Sequence, residues 1–290
     1  MVIKYQIGDQ LFTLELYGEV STGGEEILIL SDRNLLDGTS WNEKGYTIQS
    51  FLSNGHFDII KRGITKKVGE LIKRVGGLID SRFSLDQYHR YVNDQQHLQL
   101  TGLIQYGLNV AEFPIDFPIV EGRISEILGK RVTAEAKHLN PSDFDTGLST
   151  LKPNKMHVFN LRIVRPQKMA DNNPPHKDVW IDRLRNAVNI YAPLSGSTRE
   201  SALPVIPGSH LFKESEIERT VGGALVNGVK YSVPCVTAVK GALPVLQRPN
   251  PAENEVMVFS PYLIHGGAYN LEKDITRTSL EIRFWGSDGY

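Results

Sequence analysis

The 290-residue chain has one cysteine, Cys235, so no internal disulfide can form and a reducing compartment is expected. An excess of one charge sign is also missing. The 32 Lys and Arg nearly match the 33 Asp and Glu, for a formal net charge of −1, which argues against wholesale binding to nucleic acid or an anionic membrane. No apolar run approaches the roughly 20 residues that span a bilayer. The opening MVIKYQIGDQ lacks the charged-then-apolar pattern of a secretory signal. Internal repeats, low-complexity tracts and clear linkers are absent too. The expectation is a soluble cytoplasmic protein, monomer or homodimer, with a small-molecule partner and neither nucleic acid nor membrane.

A hydrophobic content of 40% is ample for a sizeable core, and one domain over residues 1–290 is the simplest reading. Residues 1–55 read as N-terminal strands, with alternating runs in KYQIGDQLFTLELYGEV and EEILILSD. Over 56–150 the texture is mainly helical. Ile60, Ile64, Val68, Leu71, Ile72 and Val75 recur at helical spacing up to Gly76-Gly77, and the opposite face is basic and solvated. A second helix is expected from Ser84, whose spacing to Gln87 fits a capping box, and a third over about 118–128, ending at Gly129. From 151 to 290 short strands follow one another: HVFNLRIVRP, AVNIYAPL, ALPVIPGSH, VMVFSPYLIHGG and RTSLEIRFW. The sum is a mainly β protein with α, a jelly roll carrying a flanking helical layer.

Chemistry is most legible in HKDVWID, residues 176–182. In an extended segment His176 and Asp178 project to one side while Lys177 points away. An imidazole and a carboxylate facing inward are costly unless something binds them, and a metal ion is one solution. His265 supplies a third ligand, placed at the end of an apolar strand with Gly266-Gly267 allowing close approach. Two histidines and one carboxylate form the facial set of non-haem Fe(II) oxygenases, which leaves coordination positions open.

Twelve residues beyond His265, RTSLEIRFW puts Arg277 and Ser279 on one strand face. An arginine fork matches a carboxylate bidentately and a neighbouring hydroxyl can add a hydrogen bond. Arg283 shares that face, but six residues on it lies roughly 20 Å away along an extended chain, so both arginines cannot reach one carboxylate.

With these pieces in order, HKDVW, AVNIYAPLS, ALPVIPGSH, VFSPYLIHGGAYN and RTSLEIRFW, the C-terminal half resembles the phytanoyl-CoA dioxygenase-like branch of the Fe(II)/2-oxoglutarate-dependent oxygenases. The likeness covers about 155–285, and EKGYTIQSFLSNGHFDIIKRGI looks like the family's opening strand and first helix. It implies a double-stranded β-helix (jelly roll, cupin-like) with His176, Asp178 and His265 as iron ligands. It also implies Arg277 on the distal carboxylate of 2-oxoglutarate, Ser279 as a helping hydroxyl, and O2 as the second co-substrate. The implied activity is a dioxygenase, most simply a hydroxylase acting on a C–H bond of a small metabolite with release of succinate and CO2. The chain departs from the family at Asn254-Glu255, where Gly-Asp is common, and at Gly266-Gly267 in place of Gly-Ser. Retention of Asp178 disfavours a halogenase.

Asn189 and Tyr191, inward on AVNIYAPL, are candidate co-substrate contacts or ordinary strand-core polar groups. Trp180 and Arg183 are candidate substrate contacts. If Arg162, Arg165, Arg183, Arg185 and Arg283 gather at the mouth, they favour an anionic substrate. His210 reads as a turn or supporting residue and His157 as core, while His56, His89, His97 and His138 have no partner pattern. Two other readings stay open: a jelly-roll metal-dependent isomerase or hydrolase, and a non-catalytic carbohydrate-binding jelly roll.

Overall fold

The computed structural model describes residues 1–29, 34–106, 114–135, 159–180 and 184–287. Its centre is a six-stranded sheet. The path runs β4 (Tyr46–Ser50), β13 (Glu255–Phe259), β7 (Ala187–Ser195), β14 (Arg277–Gly286) and β5 (Val132–Thr133), and β6 (Phe159–Val164) pairs with the other half of β14. All of these pairings are antiparallel.

Alternation divides this sheet into two chemically different faces. Leu280, Ile282 and Phe284 of β14, with Val188, Ile190, Ala192 and Leu194 of β7, pack into one apolar cluster with Val256 and Val258 of β13. Helix α1 (Asn54–Arg74) covers that face with Phe57, Ile60, Ile64, Val68 and Leu71, and α3 (Phe117–Leu128) adds Val120, Ile124 and Leu128. The opposite face carries Asn189, Tyr191, Arg277, Ser279, Glu281 and Arg283, all buried. The two-residue period of a strand thus gives apolar packing on one side and polar chemistry on the other from the same segments.

A five-stranded sheet in the order β10 (Val229–Tyr231), β9 (Ala224–Val226), β2 (Gln10–Tyr17), β1 (Val2–Ile7), β12 (Val245–Leu246) joins the N-terminal hairpin to C-terminal segments. A three-stranded sheet runs β11 (Val236–Val239), β8 (Ile217–Thr220), β3 (Val20–Thr22). Their inner residues, among them Tyr5, Leu14, Ile217 and Val236, share a cluster with Ile206 and Ile264, close in sequence to His265.

The helix boundaries follow local chemistry. Ser53 caps α1 through its hydroxyl, and Asp116 caps α3 at Ile119 N. Gly129 at φ 66° stops α3 in the left-handed region where glycine is unstrained. The helix expected from Ser84 is instead a short 3-10 turn, Leu85–Arg90, without a side-chain cap. Gln87 turns its amide to Asp86 and to the Asp274 carbonyl, so no capping box closes. The next helix is α2, Asp94–Tyr106. Residues 25–29, read as part of a strand, form no strand: the carbonyls of Gly24 and Glu26 accept from Ser215 and Glu214 instead. Around ALPVIPGSH the chain makes single bridges at Val205 and a 3-10 turn, Ser209–Leu211, rather than a continuous strand. No described helix is long and apolar enough to cross a membrane.

Asp171 ties α2 to the sheet. Its carboxylate meets His97 Nε2 at 3.2 Å and accepts Arg165 Nη2 at 2.9 Å, while Arg165 Nη1 reaches Asp94 at 2.6 Å. Burial alone would raise the Asp171 carboxyl, but hydrogen bonds from His97 and Arg165 outweigh it and hold the pKa at about 2.

Two outcomes follow from this packing. Ile282→Ala, at a fully buried position between sheet and helices, should cost about 2–5 kcal/mol in urea unfolding; a loss below about 1 kcal/mol would contradict the two-faced sheet. The depressed Asp171 contributes stability above its unfolded pKa of about 4, lost as pH falls toward 2. Asp171→Asn should therefore flatten the acid limb of a stability–pH curve, and an unchanged limb would refute the clamp.

Candidate metal centre

His176 and His265 face each other across an isolated antiparallel bridge. His176 N donates to the His265 carbonyl at 2.8 Å and His265 N returns the bond at 3.0 Å. In such a pair the opposed side chains leave on one face. The imidazole centroids lie 4.5 Å apart. His265 does not end strand β13 as expected: β13 stops at Phe259, a turn intervenes, and the histidine is placed by its bridges to His176 and Val205. Asp178 opens a 3-10 turn, Asp178–Trp180, directly after the bridge. Its Oδ1 lies 3.3 Å from His176 Nε2 and 3.6 Å from His265 Nε2, and one ligand atom from each residue falls within 4.8 Å of the others.

Glycine makes the approach possible. Gly266 has φ 107°, and a Cβ there would stand 2.6 Å from the Pro174 carbonyl oxygen and 3.0 Å from His176 Nδ1. The groups that the glycine admits are thus the chain's own His176 and Pro174.

The hydrogen bonds behind the rings set the tautomers. His176 Nδ1 is 2.7 Å from the Pro174 carbonyl and His265 Nδ1 is 2.9 Å from that of Leu263. A carbonyl only accepts, so each Nδ1 carries a proton, and Nε2 is the nitrogen that each ring turns toward Asp178 Oδ1. Burial, followed by the charge of His265, depresses the His176 pKa. For Asp178, burial alone would raise the carboxyl, but the Arg283 guanidinium and then the two histidines hold it well below the usual range. Two imidazole Nε2 atoms and one carboxylate oxygen thus converge on one point, a donor set that fits a divalent cation.

The second carboxylate oxygen is already engaged. Asp178 Oδ2 accepts Arg283 Nη2 at 2.6 Å and Asn189 Nδ2 at 2.9 Å. Oδ1 is therefore the atom left to a metal. The sequence reading missed this role for Arg283, although alternation had put it on the right face. Asn189, read as a co-substrate contact, spends its amide N–H on Asp178. Tyr191 hydrogen-bonds Ser197 at 3.0 Å, and its ring centroid lies 5.7 Å from the Arg277 guanidinium.

A cavity opens beside the triad, and His176, His265, Arg162, Arg277, Glu281 and Arg283 contribute to its lining. Arg277 is 2% exposed and donates one Nη1 bond to the Ser201 carbonyl at 2.9 Å. Its Nε and the Ser279 hydroxyl are buried without hydrogen-bond partners among the described residues. No described carboxylate pairs with Arg277. Instead a second, partly buried arginine lies near, and desolvation followed by the Arg277 charge pushes Arg248 down to about 10. A buried cation without a counter-charge is costly, so this corner fits an anion such as a carboxylate.

The remaining candidates divide. Trp180 is not among the cavity-lining residues; its indole N–H goes to Glu214 Oε2 at 2.9 Å. Arg183, His138 and His157 lie outside the described residues. Arg165 is committed to Asp171 and Asp94, whereas Arg162 lines the cavity beside Glu281. His210 sits in a 3-10 turn with Nε2 2.7 Å from the Asn42 carbonyl.

No protein-family model and no curated protein matches the chain. Among solved structures it is similar to AviO1 from Streptomyces viridochromogenes Tue57, at TM-score 0.50 and 13% identity over 86% of this chain and 93% of that one. EctD from S. alaskensis, solved with 2-oxoglutarate and 5-hydroxyectoine, gives TM-score 0.46 and 13% identity over 94% and 83%. SnoN, a non-haem alpha-ketoglutarate-dependent epimerase from nogalamycin biosynthesis, gives 0.42 and 10% over 85% and 80%. At such identities the AviO1 likeness speaks for the fold alone, and the two lower scores carry no argument.

Gly266→Ala should displace His176 and weaken Co(II) binding, with Co(II) standing in for the native metal, by about tenfold or more. Calorimetric titration checks this, and an unchanged affinity would show that the close approach is irrelevant to the metal.

Proposed function

We propose that this chain is an Fe(II)- and 2-oxoglutarate-dependent oxygenase of the phytanoyl-CoA dioxygenase-like branch. In this reading residues 1–290 form one double-stranded β-helix domain that hydroxylates a C–H bond of a small anionic metabolite. The observation that carries the proposal is the juxtaposition of two features on one cavity: the converging His176, Asp178 and His265, and a buried Arg277 with no counter-ion among the described residues.

His176, Asp178 and His265 would hold the iron, with Asp178 bound through Oδ1 because Asn189 and Arg283 occupy Oδ2. Arg277 would receive the far carboxylate of the keto acid, aided by the Ser279 hydroxyl on the same strand face. Iron with 2-oxoglutarate and O2 supplies oxidation of an unactivated C–H bond, with succinate and CO2 as by-products. The protein orients substrate and limits water through the buried walls around the triad, including Leu203 and Ala268. Arg162 supports an anionic substrate: it lines the cavity, its side chain is 38% exposed, and its Nε bond to Glu281 is long at 3.4 Å. An incoming carboxylate or phosphate would displace this long ion pair and compete with the neutral amide oxygen of Asn173, which faces Arg162 Nη2 at 2.7 Å. A metal-only isomerase or hydrolase, or a carbohydrate-binding jelly roll, would leave the buried cation at Arg277 without a task.

The test is an anaerobic titration with Fe(II) and 2-oxoglutarate, followed through the visible band of the iron–keto acid chelate, with succinate release then measured under oxygen. Wild type should show both. Arg277→Ala should lose about thirtyfold or more in 2-oxoglutarate affinity, since it removes one partner of a buried charge pair. Absence of the band in folded, iron-loaded protein would refute the oxygenase reading. A band with unchanged affinity in Arg277→Ala would refute the carboxylate anchor.

A further inference from the structure

The segment that carries two of the three candidate ligands is pinned from behind. His176 and Asp178 point toward the metal centre, while Lys177 and Trp180 point to the other side, and both reach the carboxylate of Glu214. Lys177 Nζ is 3.0 Å from Glu214 Oε1, with side-chain exposures of 0% and 1%. Trp180 Nε1 donates to Oε2 at 2.9 Å, and Arg219 Nη2 lies 3.3 Å from the same oxygen with its guanidinium over the indole at 4.6 Å. Glu214 is itself fixed by its backbone: its N–H donates to the Glu26 carbonyl at 2.9 Å, and its carbonyl accepts from Gly23 N at 3.2 Å.

A fully buried ion pair is a poor device for stability, because desolvation of both charges consumes the Coulombic gain and an apolar pair of similar volume does as well or better. What it supplies is direction. Lys177 immediately precedes Asp178 and Trp180 closes the 3-10 turn that Asp178 opens, so one carboxylate holds the chain on both sides of a ligand. Outer partners that orient metal ligands are worth about 10–100-fold in metal affinity when removed.

We propose that Glu214, acting through Lys177 and Trp180, is a positioning residue for the metal centre: it fixes the turn bearing Asp178, so metal affinity depends on a carboxylate that touches no ligand. The inference rests on the triad being a metal site, as set out under the proposed function. It also makes the turn leading into β8 part of the site's scaffold, a segment with no chemistry legible in the sequence.

The experiment compares wild type with the double variant Lys177→Met/Glu214→Gln, which removes both buried charges and keeps a carbonyl to accept the indole N–H. Thermal unfolding of the metal-free proteins is measured beside anaerobic Co(II) titrations read by calorimetry and by the visible Co(II) spectrum. The expected result is a metal-free melting temperature close to wild type with Co(II) affinity about 10–100-fold weaker and an altered spectrum. Trp180→Phe, which deletes one hydrogen bond and strands no buried charge, should weaken Co(II) severalfold, and it decides the matter if the double variant does not fold. Affinity and spectrum matching wild type in the folded double variant, or in Trp180→Phe if only that variant folds, would overturn the proposal. Wild-type protein that takes up no Co(II) would refute the metal centre itself, and this inference with it.

Discussion

His176 and His265 exchange two backbone hydrogen bonds, and the site depends on that exchange. Nothing in the covalent chain brings these residues together. The bridge forms because His265 is also paired with Val205, and Ile206 N donates to the Ile264 carbonyl at 2.9 Å, so the histidine segment is laced into its neighbours on both sides. Once the two backbones are in register, the side chains have one direction to take. Carbonyls behind each ring then fix which nitrogen is free, and Asp178 follows two residues later.

The polar groups around the centre fall into two classes with different physical meaning. Those that hold the ligands are satisfied at the contact itself: both imidazole Nδ1 groups, Asp178 Oδ2 and Glu214 have partners at hydrogen-bond distance, although Asn189 Oδ1 and the Nε and Nη1 of Arg283 have none among the described residues. Arg277 Nε and the Ser279 hydroxyl are not satisfied, and a buried cation without a counter-charge among the described residues is a cost the fold bears only in exchange for something else. The satisfied set gives rigidity, and the unsatisfied set gives the site its appetite for an anion. Lone pairs and a bare cation on one cavity are complementary demands, for a metal and for an acid.

Much of this was legible in the sequence, and the parts that were not share a cause. Alternation in RTSLEIRFW and AVNIYAPL put Arg277, Ser279, Arg283, Asn189 and Tyr191 on one face because period-two patterning is a local property. The spacing of Ile60, Ile64, Val68 and Leu71 located α1 for the same reason. What failed was reach. Arg283 was excluded from the Arg277 carboxylate by distance along the strand, yet its partner is Asp178, brought beside that end of β14 by tertiary packing. Lys177 was correctly turned away from the metal side, but a buried partner at Glu214 leaves no trace at Lys177. Ser84 and Gln87 had capping-box spacing, yet Ser84 makes no side-chain cap bond and Gln87 turns to Asp86 and Asp274.

Strand β14 serves two masters along its length, the apolar layer under α1 through Leu280, Ile282 and Phe284, and the cavity through Arg277, Glu281 and Arg283. Adding or deleting one residue within it would exchange those roles, driving guanidinium groups into hydrocarbon and leucine toward the cavity. Its pairing with β7 already absorbs one irregularity, between Thr278 and Ser279, and keeps the parity of the chemistry-bearing positions. Divergence in this strand can thus proceed by exchange of side chains at fixed length, whereas an insertion or deletion would have to come in pairs to be survivable.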